Sequence, residues 1–212
     1  MKASNSYFDE ESATAEELWS HYMEKYNNNG VVAKYLVDNF YKTIGSIVVK
    51  TPKNWKILEV GCGPGESARR ISQLLDGQDF EASEFEPRLV DMLIKQNLAY
   101  KVRQESVYQL ERESKSINCL IMLEVLEHLD DYEKALDEIF RVAKNKVIIS
   151  VPNEPLWRIL NFLRGKYIKD FGNTPGHINH WGKPQLVKLL KKYGSCLKVY
   201  KSLPWLIAEI DV

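Results

Sequence analysis

The chain of 212 residues has little cysteine and no long apolar run. Its three cysteines, Cys62, Cys119 and Cys196, are far apart and form no C-x-x-C pair, so the sequence indicates neither a disulfide framework nor a zinc knuckle. No segment approaches the roughly 18 consecutive apolar residues of a membrane span. The polar, acidic start of the chain also differs from an export signal. We therefore expect a cytoplasmic protein.

The sequence also lacks a net charge, since 29 basic side chains balance 29 acidic ones. A nonspecific nucleic-acid binder would carry an overall excess of bases. The distribution is nevertheless uneven, because residues 144–201 contain twelve bases and two acids. Two interpretations of this basic segment remain open, a solvated lysine surface or a surface for an anionic substrate, an RNA end or a membrane.

Short apolar runs alternate with helical stretches after residue 50, and this alternation predicts an α/β fold with a doubly wound parallel sheet. Two helices precede the first strand, so we assign residues 1–50 to an N-terminal helical lid. Residues 51–212 form one further unit. Within it, the segment 152–181 follows the carboxyl end of a strand, where open α/β sheets bind ligands. Its amphipathic stretch Leu156–Leu163 predicts a helical cover over a pocket.

A glycine-rich turn follows the first predicted strand, in the run I-L-E-V-G-C-G-P-G-E of residues 57–66. Glycine permits the positive φ and the close ligand approach that such a turn needs. A dinucleotide fingerprint starting at Gly61 would require glycine at position 66, where this chain has Glu66. An acid there would repel a pyrophosphate, so the turn disfavours a dinucleotide.

Acidic residues at the strand ends favour S-adenosylmethionine, which has no phosphate and carries sulfonium and ammonium groups. Glu84 ends the second predicted strand, where a carboxylate can accept both ribose hydroxyls. Glu105 follows the third strand and is placed to accept from the adenine amine. Glu59 can orient the methionine ammonium, directly or through water.

Three features together resemble the class I S-adenosylmethionine-dependent methyltransferases from about Trp55 onward: E-V-G-C-G-P-G at 59–65, the acids Glu84 and Glu105, and E-V-L-E-H at 124–128. The resemblance implies a Rossmann-like seven-stranded sheet of order 3-2-1-4-5-7-6 with strand 7 antiparallel, and S-adenosylhomocysteine as product. Glu105 departs from the family, in which aspartate is more usual. The cofactor contacts implied are Gly61, Gly63 and Gly65 to methionine and ribose, Glu84 to the diol, Phe85 to adenine, Glu105 and Ser106 to its edge, and Leu123 near the sulfonium.

Methyl transfer to oxygen needs a nucleophile held in line, desolvated and relieved of its proton. Histidine is the side chain suited to accept that proton at neutral pH, and the candidate catalytic residues are His128, His177 and His180. Glu124, Glu127 and His128 are spaced i, i+3 and i+4, which would place them on one face of a helix beginning there.

That spacing resembles the metal motif of certain ubiquinone-pathway O-methyltransferases and of small-RNA 3′-terminal 2′-O-methyltransferases. In the RNA enzymes a further histidine precedes an aromatic residue, and His177 occupies a similar place. The motif also occurs in relatives that bind no metal. We therefore favour a base or orienting role for His128 and leave a divalent metal open.

The sequence thus predicts a methyltransferase acting on an oxygen, with nitrogen and carbon as lesser alternatives, of a flat or lipidic small molecule. Two alternatives are kept, a metal-dependent RNA 2′-O-methyltransferase and a non-catalytic regulatory protein that binds the cofactor. A nucleic-acid partner is disfavoured because no RNA-binding module is recognisable. Apolar residues in 156–163, with Arg158, Arg164, Lys166 and Lys169, suggest transient membrane contact, and we expect a monomer or a homodimer.

Overall fold

The structure, a computed structural model, describes residues 12–27, 30–165 and 167–212. The strands are β1 (Lys56–Val60), β2 (Asp79–Glu84), β3 (Lys101–Gln104), β4 (Ile117–Leu123), β5 (Ala143–Pro152), β6 (Cys196–Ser202) and β7 (Trp205–Asp211). They form one sheet of order β3-β2-β1-β4-β5-β7-β6. β1 to β5 are parallel, and β7 runs antiparallel to both of its neighbours. The predicted strand order and direction are confirmed.

Seven helices lie in the described part of the chain: α1 (Ala15–Asn27), α2 (Val31–Val48), α3 (Glu66–Ser72), α4 (Pro87–Ile94), α5 (Tyr132–Val142), α6 (Leu156–Leu163) and α7 (Lys183–Leu190). Two 3-10 turns, Leu126–His128 and Ile168–Asp170, accompany them. None of these helices has the length and apolar character needed to cross a bilayer. The predicted break between α1 and α2 includes residues 28 and 29, which lie outside the described residues.

Side-chain caps explain where several helices begin. Thr14 and Glu17 bond reciprocally at the start of α1, with the Glu17 amide donating to Thr14 Oγ1 (3.2 Å) and the Thr14 amide donating to Glu17 Oε2 (2.9 Å). Glu86 caps α4, and Pro87 occupies its first position, where no amide hydrogen is needed. Asp131 caps α5 by accepting from the Lys134 amide at 3.1 Å.

The central strands are buried on both faces because helices cover each side of the sheet. Alternate residues of a strand point to opposite faces, and in β4 Leu120 and Met122 join one core while Cys119 and Ile121 join the other. The first core includes α5 and α7, and the second includes α2, α3 and α4. Both cores therefore hold the carboxyl ends of β1 and β4 rigidly.

The second half of α2 belongs to this packing. Phe40, Ile44, Ile47 and Val48 are buried within the second core, and Phe40 lies against Trp205 with ring centroids 4.9 Å apart. The core therefore extends across the expected boundary between residues 50 and 51. Within the N-terminal segment, α1 and the start of α2 remain as candidates for a lid.

Candidate active site

The glycine turn after β1 is tied to the end of β2. The amides of Gly61 and Cys62 both donate to the Ser83 carbonyl, at 2.8 and 3.0 Å. Gly61, Gly63 and Gly65 have φ values of +72°, +54° and +80°, a region that other residues occupy at a cost. A Cβ on Gly61 would lie 2.6 Å from Val125, whereas one on Gly63 would meet nothing within 4 Å. Gly63 therefore faces open space that a ligand can occupy.

Glu84 is held by backbone amides beside this turn. Its Oε2 accepts from the Gly63 amide at 2.7 Å, and its Oε1 accepts from the amides of Phe85 and Glu86 at 2.8 and 3.0 Å. Phe85 is 68% exposed despite its large apolar ring. A fixed carboxylate and an uncovered ring therefore lie side by side, as a ribose and an adenine would require.

Glu59 is a buried carboxylate immediately before the turn. It is 1% exposed, and neither of its side-chain oxygens has a hydrogen-bond partner among the described residues. Burial raises the pKa of Glu59 to about 7. The nearby Ser67 hydroxyl offsets this rise only in part, and the Glu84 charge adds to it. A buried carboxylate without a cationic partner is costly, so this position suits a ligand that brings a positive charge.

Glu105 has a partner that the sequence spacing did not indicate. Arg112 donates to both of its carboxylate oxygens, from Nε at 2.8 Å and from a terminal nitrogen at 3.2 Å, and also bonds Glu81. Glu105 is thus held by Arg112, and its contact with adenine stays a prediction. Ser106, the next residue, is half-buried, and its hydroxyl accepts from the Tyr108 amide at 3.3 Å.

The turn after β4 brings together two predicted catalytic residues. His128 lies at the end of the Leu126–His128 turn and is exposed, and its Nδ1 is 3.0 Å from the Gly176 carbonyl oxygen. His177 is buried, and its ring meets that of His128 edge-on at 4.9 Å. Ligand atoms of Glu127, His128 and His177 all lie within 4.8 Å of one another. These three side chains can share a divalent cation or position one base.

The expectation that Glu124 shares a helix face with Glu127 and His128 is wrong. Glu124 has φ +55°, which ends β4 with a sharp turn, and α5 begins only at Tyr132 after the Asp131 cap. Glu124 instead accepts from the Ser150 hydroxyl on β5 at 2.7 Å. Leu123, just before it, is buried in the second core.

Main-chain bonds attach the loop that contains His177 to the turn that contains His128. The amides of Ile178 and Asn179 both donate to the Glu127 carbonyl at 3.0 Å. The Asn179 side chain donates to the carbonyls of Leu126 and Leu129, at 3.4 and 2.6 Å. Asn179 is thus a positioning residue that sequence reasoning missed, because its partners are about fifty positions away.

His180 lies apart from this cluster. Its Nε2 is 2.8 Å from Asn173 Oδ1, and burial, with the nearby Arg158 charge, lowers the pKa of His180. A cavity of about 600 Å³ lies on the same segment, lined in part by Arg158, Lys169, Asn173 and Gly176. Because a Cβ on Gly176 would lie 3.3 Å from His128 Nδ1, this cavity adjoins the paired histidines.

Comparison with known proteins agrees with this fold. The family model described as a methyltransferase domain matches residues 29–196. The fold is similar to that of magnesium protoporphyrin IX methyltransferase from Synechocystis PCC 6803, solved with bound S-adenosylhomocysteine, with a TM-score of 0.64, 18% identity and coverage of 93% of this chain and 97% of that one. It is also similar to the methyltransferase domain of bacterial CtHen1, with a TM-score of 0.62, 19% identity and coverage of 84% and 100%. No curated protein sequence matches the chain.

The sheet order, the glycine turn and the acids beside it define a class I S-adenosylmethionine-dependent methyltransferase. The family match covers most of the chain, from the start of α2 to the beginning of β6. The chain therefore belongs to the methyltransferase-domain family.

Proposed function

We propose that this methyltransferase transfers a methyl group to an oxygen of a small-molecule acceptor by in-line displacement. The observation that carries the proposal is the position of His128 in the turn after β4, where its Nδ1 lies 3.0 Å from the carbonyl of Gly176, a residue that lines the cavity of the cover segment. When bound, S-adenosylmethionine supplies a methyl carbon made electrophilic by the adjoining sulfonium.

Four features of the site would hold the cofactor. Glu59 would face the methionine ammonium, and the open side of Gly63 would admit the methionine and ribose. Glu84 would accept from the ribose hydroxyls, because its carboxylate is already oriented by three amides. Phe85 would cover one face of the adenine.

We propose that α1 closes this end of the site as a lid. A guanidinium nitrogen of Arg88, on α4, donates to the Ala13 carbonyl just before α1 at 2.5 Å.

His128 is placed to act as the base. A carbonyl oxygen can only accept a hydrogen bond, so the contact with Gly176 assigns the proton of neutral His128 to Nδ1. Nε2 then has the lone pair and can accept the proton of an acceptor hydroxyl. His177, packed against the His128 ring and near the indole of Trp157, fixes the orientation of that ring.

Single-turnover transfer of a labelled methyl group to phenolic and quinol acceptors tests the proposal. We expect His128→Ala to lower the transfer rate by about 100-fold or more, to leave calorimetric cofactor affinity unchanged, and to be partly rescued by added imidazole. Cofactor binding without transfer to any acceptor would favour the non-catalytic regulatory alternative. Full activity of His128→Ala would remove the base assignment.

The proximity of Glu127, His128 and His177 supports a second candidate, a divalent metal and an RNA 2′-hydroxyl acceptor. A metal-binding histidine commonly donates its other ring nitrogen to a backbone carbonyl, and His128 has such a contact. In this case Glu127→Gln would abolish Mn²⁺ binding measured by calorimetry, and EDTA would abolish transfer. Transfer that is insensitive to EDTA would leave the base mechanism in place.

A further inference from the structure

Helix α6 exposes apolar side chains and buries a polar one. Asn161 is the buried residue of α6, and its amide donates to the Gly172 carbonyl (3.1 Å) and to Thr174 Oγ1 (3.2 Å). Trp157, four positions earlier on the same face, donates to Thr174 Oγ1 at 2.9 Å. Leu156, Trp157 and Leu160 are half-buried, but the other apolar residues of α6 are exposed. A helix that only covers a core has its whole apolar face inward.

The exposed side of α6 continues onto the second 3-10 turn. We call this surface the outer apolar face, and its members are Ile159 (50% exposed), Phe162 (49%), Leu163 (75%), Ile168 (57%) and Phe171 (75%). The two parts are in contact, because Arg158 Nε lies 3.4 Å from the Phe171 carbonyl and Gly172 lies against the Arg158 backbone. A contiguous apolar surface of this kind usually marks a binding site.

Positive charge surrounds the outer apolar face. Arg164 and Lys169 are exposed beside it, and Arg158 is half-buried at its base. Asp170 is the single acidic residue in the described part of 156–171. Lys166, which the sequence also assigns to this basic group, lies outside the described residues. The combination of apolar side chains with basic neighbours matches the acyl and anionic headgroup layers of a membrane surface.

Charge also distinguishes a membrane from other occupants. A two-fold contact between copies would bring the basic residues of both copies toward each other, which costs energy. A single-stranded nucleic acid would need a row of aromatic rings for its bases, whereas three of the five members are aliphatic.

We propose that the outer apolar face binds peripherally to an anionic lipid surface. The cavity beside it is lined by Lys169 and Phe171 on this side and reaches Gly176 next to His128. Membrane binding would therefore place this cavity close to the lipid headgroups. The binding itself does not depend on which acceptor the enzyme uses.

Cosedimentation of the whole protein with vesicles of phosphatidylglycerol and phosphatidylcholine tests this surface. We expect binding to the mixed vesicles and little binding to pure phosphatidylcholine. The double variant Arg164→Glu, Lys169→Glu should lower the vesicle partition coefficient by about 25-fold or more, because each base lost should account for about 5-fold. Lys183→Glu with Lys188→Glu, the same charge change on α7, should have a much smaller effect.

A second pair of variants separates apolar contact from charge. Ile159→Asp should lower vesicle binding by about 10-fold or more, whereas Ile94→Asp, at an isoleucine of similar exposure (62%) on α4, should not. Wild-type protein that stays in the supernatant at low salt would overturn the proposal. Equal effects of the two isoleucine variants would also overturn it, as would a dimer in light scattering that Ile159→Asp converts to a monomer.

Discussion

Gly63 provides the sharpest residue-scale test of the cofactor site. Replacing it by alanine places a Cβ in open space at φ +54°, so the fold should lose only the left-handed strain of about 1–2 kcal/mol. The same Cβ should obstruct the cofactor. We expect Gly63→Ala to weaken S-adenosylmethionine binding by about 10-fold or more in calorimetry.

Gly77 is the matched control for this substitution. It has φ +74°, a Cβ there also meets nothing within 4 Å, and it lies between α3 and β2. Gly77→Ala should therefore show a similar loss of thermal stability and unchanged cofactor affinity. Equal affinity losses in both variants would mean that Gly63 has no special role in the site.

In the role proposed for it, Glu59 should make cofactor affinity depend on pH. Because its pKa is raised to about 7, the carboxyl must release a proton below that pH before it can face an ammonium. We expect S-adenosylmethionine affinity to fall by up to about 10-fold for each pH unit below 7 and to be flat above it. Calorimetry at pH 6, 7 and 8 measures this, and Glu59→Gln should abolish the dependence.

The same pKa also sets the sign of a stability effect in the ligand-free protein. The unfolded carboxyl ionises near its ordinary value of 4.5, whereas the folded one remains protonated to about pH 7. The stability that the protonated form contributes is thus complete below about pH 4.5 and is lost as the pH rises to about 7. Wild-type protein should lose stability relative to Glu59→Gln across that interval in urea unfolding, and parallel curves would contradict the burial of this group.

At the scale of elements, α2 is part of the core and not a removable attachment. Phe40 is buried against Trp205, so Phe40→Ala should lower the free energy of unfolding by about 3–5 kcal/mol. Tyr35 lies on the same helix but is 68% exposed, so Tyr35→Ala should lower the free energy of unfolding by less than about 0.5 kcal/mol. Chemical denaturation compares the two, and a small effect at Phe40 would indicate that α2 detaches.

The central strands were predictable from sequence because each contains a local apolar run. β1, β4 and β5 contain the buried runs Ile57–Leu58, Cys119–Leu123 and Val147–Ile149, and the glycine turn follows from its own residues. Glu124 was not predictable in the same way. Its spacing from Glu127 and His128 fits a helix, but a positive φ and the Asp131 cap, which acts seven residues later, delay that helix.

Contacts between distant segments set the limit of prediction within the site. The role of Glu105 depends on Arg112, which follows it on a loop whose path the sequence does not specify. The His128–His177 pair was suggested only through family resemblance, and the residue that fixes it, Asn179, has no recognisable pattern. Local periodicity identifies elements, whereas the pairing of their loops depends on tertiary packing.

At the scale of the whole molecule, the basic C-terminal third is less available to RNA than its composition suggests. Lys146 pairs with Glu209, and Lys192 pairs with Glu133 at 2.7 Å. Because the molecule has no net positive charge, we expect weak RNA affinity, with log K falling against log salt concentration with a slope shallower than about 2. A salt titration measures it. A slope of about 3 or steeper, together with labelled methyl on the RNA, would replace the small-molecule proposal.

The attachment of Ile178 and Asn179 to the Glu127 carbonyl is made by main-chain amides. Such bonds are indifferent to side-chain identity, and the Ile178 side chain is exposed. Replacing Ile178 by a residue other than proline therefore changes the exposed surface of this loop without displacing His177. Sequences that diverge at this exposed position would keep the histidine pair intact.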